Sequence, residues 1–173
     1  MKSYLFETDE HRALREQVRR FAASAIAPHA HAWEEANEFP RELYQASAGA
    51  GFLATGYPEE MGGDGGDLSH VLVAAEEMVV AGKSVGTCVG LGSHVIALPP
   101  IVKFGTEAQK ARYVRPTLTG EKVSALGITE PGGGSDVAAV QTKAVADGGH
   151  AKFTDAKINV ISVLFTFVNV NAA

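Results

Sequence analysis

The run GITEPGGGSD, residues 127–136, combines residue types that can hold a ligand by its polar groups. Three consecutive glycines, Gly132–Gly134, can adopt positive φ and let backbone amides approach a bound group closely. The flanking hydroxyls and carboxylates are those of Thr129, Glu130, Ser135 and Asp136. The preceding VSALGIT is short, apolar and rich in β-forming residues, so it predicts a strand that ends at this loop. A strand that leads into such a turn predicts a ligand-binding loop.

The acidic side chains near the glycine-rich segments fit structural roles better than proton transfer. Glu130 and Asp136 flank the glycines, where carboxylates commonly accept hydrogen bonds from loop amides. Glu59 and Glu60 lie in a second glycine-rich stretch, YPEEMGG, and are expected to shape or cap that loop. We therefore assign no catalytic acid or base to these four residues.

The histidines and the single cysteine predict no metal or nucleophilic site. His29 and His31 form an HxH pair, but no second group of ligands lies near them in the sequence. Cys88 lies in the small apolar run VGTCVGLG, which is typical of a packed thiol. A single cysteine also excludes an internal disulfide and fits a reducing compartment.

The elements that must position the loop are helical up to about residue 121. A first helix is predicted after Thr8 or Asp9, because apolar residues then recur at helical spacing until Pro28. Further helices are predicted over 29–36, from Pro40, from Asp67 or Ser69 to Gly82, and over 85–104, the last apolar enough to be buried. Thr106 and Gln109 predict a capping box that opens one more helix.

Strand periodicity begins only at Val123, and this change marks a domain boundary. The predicted class is α+β: an all-α helical domain over residues 1–121, followed over residues 122–173 by the beginning of a β-barrel or sheet domain. The closing INVISVLFTFVNV is apolar on both faces, which a strand accepts when it is covered on both sides. We expect the sequence to be part of a longer protein, truncated within its second domain.

Bulk composition limits the possible partners. The chain has 173 residues, 46% of them hydrophobic, which suffices for a sizeable core. Its formal net charge is −5 and basic residues do not cluster, so a nucleic acid partner is not expected. The sequence predicts no membrane-spanning or signal segment and favours the cytoplasm.

Four segments, taken in order, resemble the acyl-CoA dehydrogenase flavoprotein family. They are the opening helix RALREQVRRFAASAIAPHAHAW, the loop PEEMGG, the helix junction FGTEAQKARYVRPTLTGEK, and TEPGGGSD, which is similar to that family's signature element. The resemblance runs from about Phe6 to about His150. It implies a helical N-terminal domain, a middle β-domain and a C-terminal helical bundle, which is missing from this sequence.

The resemblance implies that FAD lies between the middle and C-terminal domains. The residues that match the flavin-binding strand and loop are Leu126, Gly127, Ile128, Thr129, Gly134 and Ser135. The Thr129 hydroxyl is expected to donate a hydrogen bond near the reactive nitrogen of the ring. Ser135 is expected to contact both FAD and the bound acyl-CoA substrate.

The implied activity is oxidation of an acyl-CoA to its 2,3-enoyl-CoA in fatty acid metabolism. An electron-transferring flavoprotein is the implied electron acceptor and a homotetramer the implied assembly. The catalytic glutamate of relatives comes from the C-terminal domain, so no catalytic residue is assigned in this chain. The apolar helix over 85–104 matches the wall of the acyl-chain tunnel, where Gly90, Gly92 and Ser93 would leave room for the tail or simply pack tightly.

The sequence departs from the family at one point and leaves other functions open. Lys157 matches a family lysine, but Asn159, Val160 and Ile161 replace the aromatic-isoleucine-threonine triplet that packs on the flavin. An acyl-CoA oxidase or a flavin-dependent monooxygenase on the same scaffold is one alternative. A non-catalytic helical binding module is the other.

Overall fold

A computed structural model describes residues 7–125, 130, 132, 135, 136, 138, 141, 143–147 and 150–154. The helices in this part are α1 (Asp9–Phe21), α2 (Ala30–Ala36), α3 (Glu42–Gly49), α4 (Leu68–Gly82), α5 (Val85–Leu91), α6 (His94–Ala97), α7 (Pro99–Phe104), α8 (Glu107–Gln109) and α9 (Arg115–Leu118). Two π-helical segments, Ala22–Ile26 and Lys110–Val114, continue α1 and join α8 to α9. A 3₁₀ turn spans Glu59–Met61.

The helix starts follow the predicted caps closely. Thr8 opens α1 and Asp67 opens α4, each with a capping box whose fourth member is a histidine. The capping box of Thr106 and Gln109 is confirmed at α8. The predicted starts at His29 and Pro40 are too early, because α2 begins at Ala30 and α3 at Glu42.

The predicted helix over 85–104 is divided into α5, α6 and α7. The first break lies at Gly92, the C-cap of α5, and the second at Leu98, where Pro99 opens α7 as its first residue. Proline lacks the N–H that would continue α6, but it suits the first position of a new helix. Apolar periodicity alone does not show these breaks.

This apolar run is covered on one side only in the described residues. Val85, Val89 and Ile96 are each more than 60% exposed, so the predicted burial of the whole run is wrong here. By length and composition alone, with a mean hydropathy of 1.6, Val85–Phe104 could cross a membrane, a test that core helices of soluble proteins also pass.

The main core lies where α1 crosses α4. Val18, Ala22 and Ile26 are fully buried and pack with residues of α3 and α4, which gives α1 the predicted apolar face. A second cluster joins the loop after α3 to the later helices and contains Leu98, Ile101, Val114 and Leu118.

Charged side chains close the edge of the α1–α4 interface. The Arg15 side chain is 6% exposed. Its Nη1 donates to the carboxylates of Glu76 at 2.8 Å and Glu77 at 2.9 Å, and its Nη2 binds the carboxylate of Glu7. Arg19 donates two hydrogen bonds of 2.9 Å to Glu77, which is 1% exposed. Burial alone would raise the pKa of Glu77, but the hydrogen bonds from the two arginines outweigh it and hold that pKa below its ordinary value.

Two strands follow the helices. β1 (Lys143–Asp147) pairs antiparallel with β2 (His150–Thr154), with Lys143 opposite Thr154 and Asp147 opposite His150. Val123–Ala125 are described without strand pairing, and the rest of the predicted strand, residues 126–129, lies outside the described residues. The apolar tail from residue 155 onward also lies outside them, as do Lys157 and the triplet at 159–161.

Candidate ligand-binding cavity and loop

A cavity of about 830 Å³ opens between α2, α3, α5 and the segment that leads toward the glycine-rich loop. We call it the aromatic cavity. Its walls are formed by Trp33, Glu34, Asn37, Glu38, Phe39, Arg41, Tyr44, Gly86, Thr87, Gly90, Val123, Ser124 and Ala125.

Three aromatic rings form one continuous wall of this cavity. Phe39 lies between Trp33 and Tyr44, with ring centroids 6.2 Å and 5.6 Å away, both in tilted arrangements. The Tyr44 hydroxyl donates a hydrogen bond of 2.9 Å to the Gly90 carbonyl, which fixes α3 against α5. Burial raises the pKa of Tyr44, so the phenol stays protonated and keeps this bond.

Glycines on α5 let α2 and its following loop approach closely. A Cβ at Gly90 would lie 2.5 Å from Cε1 of Phe39, and one at Gly86 would lie 2.8 Å from Oε1 of Glu34. Both glycines line the cavity, whereas Gly92 and Ser93, the other small residues predicted to leave room for a tail, do not. Gly90 therefore fits both explanations given above, room for a tail and tight packing, because it lines the cavity and also packs against the Phe39 ring.

The start of α5 is held by a carboxylate from α2. Glu34 Oε1 accepts hydrogen bonds from the Ser84 hydroxyl at 2.6 Å and from the Gly86 amide at 3.2 Å. Ser84 in turn accepts the Thr87 amide at 3.0 Å, as an N-cap does. These bonds fix one rim of the aromatic cavity.

Ser124 lines the cavity and carries a buried polar atom without a partner among the described residues. The residue is 2% exposed, and its Oγ has no hydrogen-bond partner among the described residues. Its carbonyl accepts a 2.9 Å hydrogen bond from Ser93 Oγ, which ties the segment to the helices. Buried hydroxyls are normally paired, so the unpaired Ser124 hydroxyl is an exception in this segment.

The structure describes part of the predicted ligand loop. Leu126, Gly127, Ile128, Thr129 and Gly134 lie outside the described residues. Ser135, predicted to contact both FAD and substrate, is exposed.

The acidic neighbours of this loop have the structural role that the sequence predicts. Glu130 Oε2 accepts the Gln141 amide at 2.9 Å and Asp136 Oδ1 accepts the Ala138 amide at 3.2 Å. Both carboxylates are thus engaged with loop amides. A catalytic role for them gains no support.

The loop YPEEMGG is shaped by its glycines. Gly62 adopts φ of 88°, and a Cβ at Gly63 would lie 2.1 Å from the Tyr57 carbonyl oxygen. Backbone hydrogen bonds from Gly63 to Pro58 and from Gly65 to Tyr57 close the loop. Asp64 Oδ2 accepts the Ala54 amide at 2.8 Å. The loop is therefore folded on itself, which fits a structural role for Glu59 and Glu60.

His94 is a buried group that the sequence did not point to. It is 4% exposed, its Nδ1 donates to the Leu91 carbonyl at 2.9 Å, and its Nε2 has no partner among the described residues. Burial lowers the pKa of His94, although the Leu91 and Leu53 carbonyls and the Asp64 carboxylate oppose that shift. The imidazole is therefore kept neutral.

His11, Asp67 and His70 bring potential metal ligands within 4.8 Å of one another. The two imidazole rings stack with centroids 4.0 Å apart and planes 24° apart. Imidazole lone pairs lie in the ring plane, so rings stacked face to face cannot both point at one ion. Nδ1 of His11 and Nδ1 of His70 also lie 3.2 Å from the N-cap amides of Thr8 and Asp67. We assign the cluster to helix capping.

Sequence reasoning missed most of the cavity lining. Trp33, Phe39 and Tyr44 come from two helices and a loop, and their spacing matches no single period. The available signal was the pair of glycines in α5, which predicts close approach but not the approaching residue. Ser124 was recognised only as part of an apolar strand.

Comparison with known families gives one matching family model, "Acyl-CoA dehydrogenase, N-terminal domain", over residues 8–121. Among curated relatives, "Probable acyl-CoA dehydrogenase YngJ" of Bacillus subtilis is 37% identical over 82% of this chain and 37% of its own length. "Acyl-CoA dehydrogenase, short-chain specific" of Clostridium acetobutylicum is 36% identical over 93% of this chain and 43% of its own length.

A solved structure agrees with the sequence relatives. The crystal structure of a probable acyl-CoA dehydrogenase from Mycobacterium abscessus is 46% identical, with a TM-score of 0.78, over 82% of this chain and 38% of the solved one. The present chain thus spans between a third and a half of the length of the relatives it matches. The described fold is their helical N-terminal domain.

Proposed function

The chain belongs to the acyl-CoA dehydrogenase family, and from this premise we propose that the protein carrying it uses FAD to oxidise an acyl-CoA to the 2,3-enoyl-CoA. The proposal rests on the position of the aromatic cavity next to the predicted flavin loop. Val123–Ala125 form one wall of the cavity, and residues 126–135, which match the family's flavin and substrate loop, follow them directly in the sequence.

The reaction removes two hydrogens from the acyl group. The C2 hydrogen leaves as a proton, the C3 hydrogen leaves as hydride, and a double bond forms between the two carbons. Bound FAD supplies the acceptor for the hydride and its electron pair. Hydrogen bonds to the thioester carbonyl make the C2 proton more acidic. The base that takes this proton is proposed to lie in a C-terminal bundle beyond these 173 residues.

The described residues of the loop fit a flavin. Glu130 and Asp136 are engaged with backbone amides, and the exposed hydroxyl between them belongs to Ser135. A hydroxyl both donates and accepts, so it can pair with either kind of polar atom on the flavin edge or on the substrate. We propose that Ser135, with Gly134 and the run from Leu126 to Thr129, holds the flavin.

Flavin bleaching tests the proposal. The purified protein is loaded with FAD, freed of excess, and mixed anaerobically with butanoyl-, octanoyl- or 3-phenylpropanoyl-CoA while flavin absorbance is followed. We expect bound FAD to lose its absorbance, and Ser135→Ala to need a higher acyl-CoA concentration for half the effect. Ser24→Ala is the matched control, because it makes the same substitution at an exposed serine that lies outside both the loop and the cavity. Bound FAD that no acyl-CoA bleaches would contradict the proposal.

The same preparation separates the alternatives. An oxidase or monooxygenase would regain its flavin absorbance within seconds of admitting air, whereas a dehydrogenase would regain it on addition of an electron-transferring flavoprotein. A non-catalytic binding module would bind no FAD. An intact mass above 18.1 kDa would show that the protein extends beyond this sequence.

Three further features belong to the proposal. Residues 122–173 are proposed to begin the middle β-domain, and the antiparallel pair of β1 and β2 supports this. The full-length protein is proposed to be a cytoplasmic homotetramer that passes electrons to an electron-transferring flavoprotein in fatty acid metabolism. Sedimentation of the full-length protein measures the assembly.

A further inference from the structure

We propose that the aromatic cavity holds the tail of the acyl group and favours a tail that ends in an aromatic ring over a straight alkyl tail. The inference rests on the proposed function, because it names the substrate class of the same enzyme.

The position of the cavity supports a role in ligand binding. Val123–Ala125 form one wall and immediately precede the proposed flavin and substrate loop. On this wall Ser124 is 2% exposed, and its Oγ has no partner among the described residues. Unsatisfied buried polar groups are uncommon, and this one lies in the segment that joins the cavity to the loop.

The volume and the lining indicate which tail fits. About 830 Å³ is within the range of roughly 300–1,000 Å³ typical of small-molecule sites. One wall, beside Gly90, is made of the rings of Trp33, Phe39 and Tyr44. A ring gains edge or offset contacts with such a wall beyond the area it buries, which corresponds to about 2- to 12-fold in affinity per ring pair. An alkyl tail lacks this gain.

The aromatic wall is held in place before any ligand binds. Phe39 lies on the backbone of α5 at Gly90, where any side chain would collide with the ring. Tyr44 is fixed to the Gly90 carbonyl through its hydroxyl, and Trp33 stacks on His29 with centroids 5.2 Å apart. A wall fixed in this way loses little freedom on binding, so its shape selects the ligand.

Two acyl-CoA probes with the same number of acyl carbons test the preference. They are 3-phenylpropanoyl-CoA and nonanoyl-CoA, compared by kcat/KM and by anaerobic flavin bleaching. We expect the ring-bearing thioester to be favoured, and Phe39→Leu to lower its advantage about 2- to 12-fold. Phe104→Leu is the control, because Phe104 is 59% exposed and does not line the cavity. It should leave the ratio unchanged.

Binding is measured independently of turnover through Trp33, the single tryptophan of this sequence. We expect 3-phenylpropanoyl-CoA to change its emission, with the signal identified by its loss in Trp33→Phe. Two results would overturn the proposed preference for an aromatic tail and leave the proposed function standing. One is equal bleaching by both thioesters, and the other is a preference that Phe39→Leu does not change. An unchanged Trp33 emission overturns the cavity assignment even if Phe39→Leu fails to fold. Absence of bleaching together with a Trp33 response would instead overturn the oxidation and keep the cavity.

Discussion

Glu77→Gln should strongly destabilise the helical domain, because Glu77 is the buried centre of the ion cluster between α1 and α4. Its side chain is 1% exposed and accepts three hydrogen bonds of 2.9 Å from Arg15 and Arg19. Glutamine has nearly the same shape but no charge, and its amide N–H₂ faces guanidinium donors. Removing one partner of a buried pair typically costs about 3–5 kcal/mol, since the opposite charge stays buried.

The expected magnitude lies at the lower end of that range. Arg15 keeps Glu7 and Glu76 as partners, and Arg19 is 42% exposed and can turn to water. We expect a loss of about 3 kcal/mol, which for a domain of roughly 120 residues is about 12 °C in Tm. Thermal unfolding followed by circular dichroism measures it.

Glu76→Gln is the matched control. It is the neighbouring residue, the substitution is the same, and it also accepts a hydrogen bond of 2.8 Å from Arg15, but its side chain is 36% exposed. Exposed pairs contribute about 0.2–1 kcal/mol, so its Tm should fall by less than about 4 °C. Equal losses in the two variants would refute the argument that burial sets the cost.

The pH dependence provides a second check on Glu77. Its folded pKa is held below the ordinary value of 4.5, so its contribution is present above that value and is lost as pH falls through the folded pKa. The stability difference between the unsubstituted protein and Glu77→Gln should therefore shrink below about pH 4.5. A difference that grows on acidification would contradict the sign.

Two further predictions concern other described residues. Gly63→Ala should lower the free energy of unfolding by about 3 kcal/mol, because the added Cβ would lie 2.1 Å from the Tyr57 carbonyl oxygen. Gly49→Ala in α3 should raise it by about 0.5–1 kcal/mol, because a Cβ there meets nothing within 4 Å. Urea unfolding measures both changes, and a change of the same sign in the two variants would contradict this prediction. The pKa of His94 is lowered by burial, so the unfolded chain binds more protons below pH 6.5 and stability should fall as pH drops from there. His94→Gln should make the free energy of unfolding depend less on pH in this range. If the pH dependence is unchanged in this variant, it comes from other groups.

Local signals predicted the helical domain well. Asp67 and Thr106 cap α4 and α8 as expected, because a cap depends on residues within one turn of each other. The division of the run 85–104 was missed, since a hydrophobic pattern continues through a break that Gly92 and Pro99 cause in the backbone. The ion cluster of Arg15 and Glu77 joins residues 62 apart, and no local rule gives that pairing.

The candidate site shows the same limit more sharply, and it also shows why glycine is informative there. From the sequence, Gly90 could be explained either by tight helix packing or by space for a ligand, and these were two competing explanations. In the structure, the missing Cβ lets Phe39 lie against α5, and the ring then lines the cavity beside the glycine. Close packing on one side of α5 thus helps to form the aromatic wall that the proposed substrate ring would contact. The two interpretations describe one arrangement, and Gly90→Ala should disturb both the packing and the cavity by displacing the same ring.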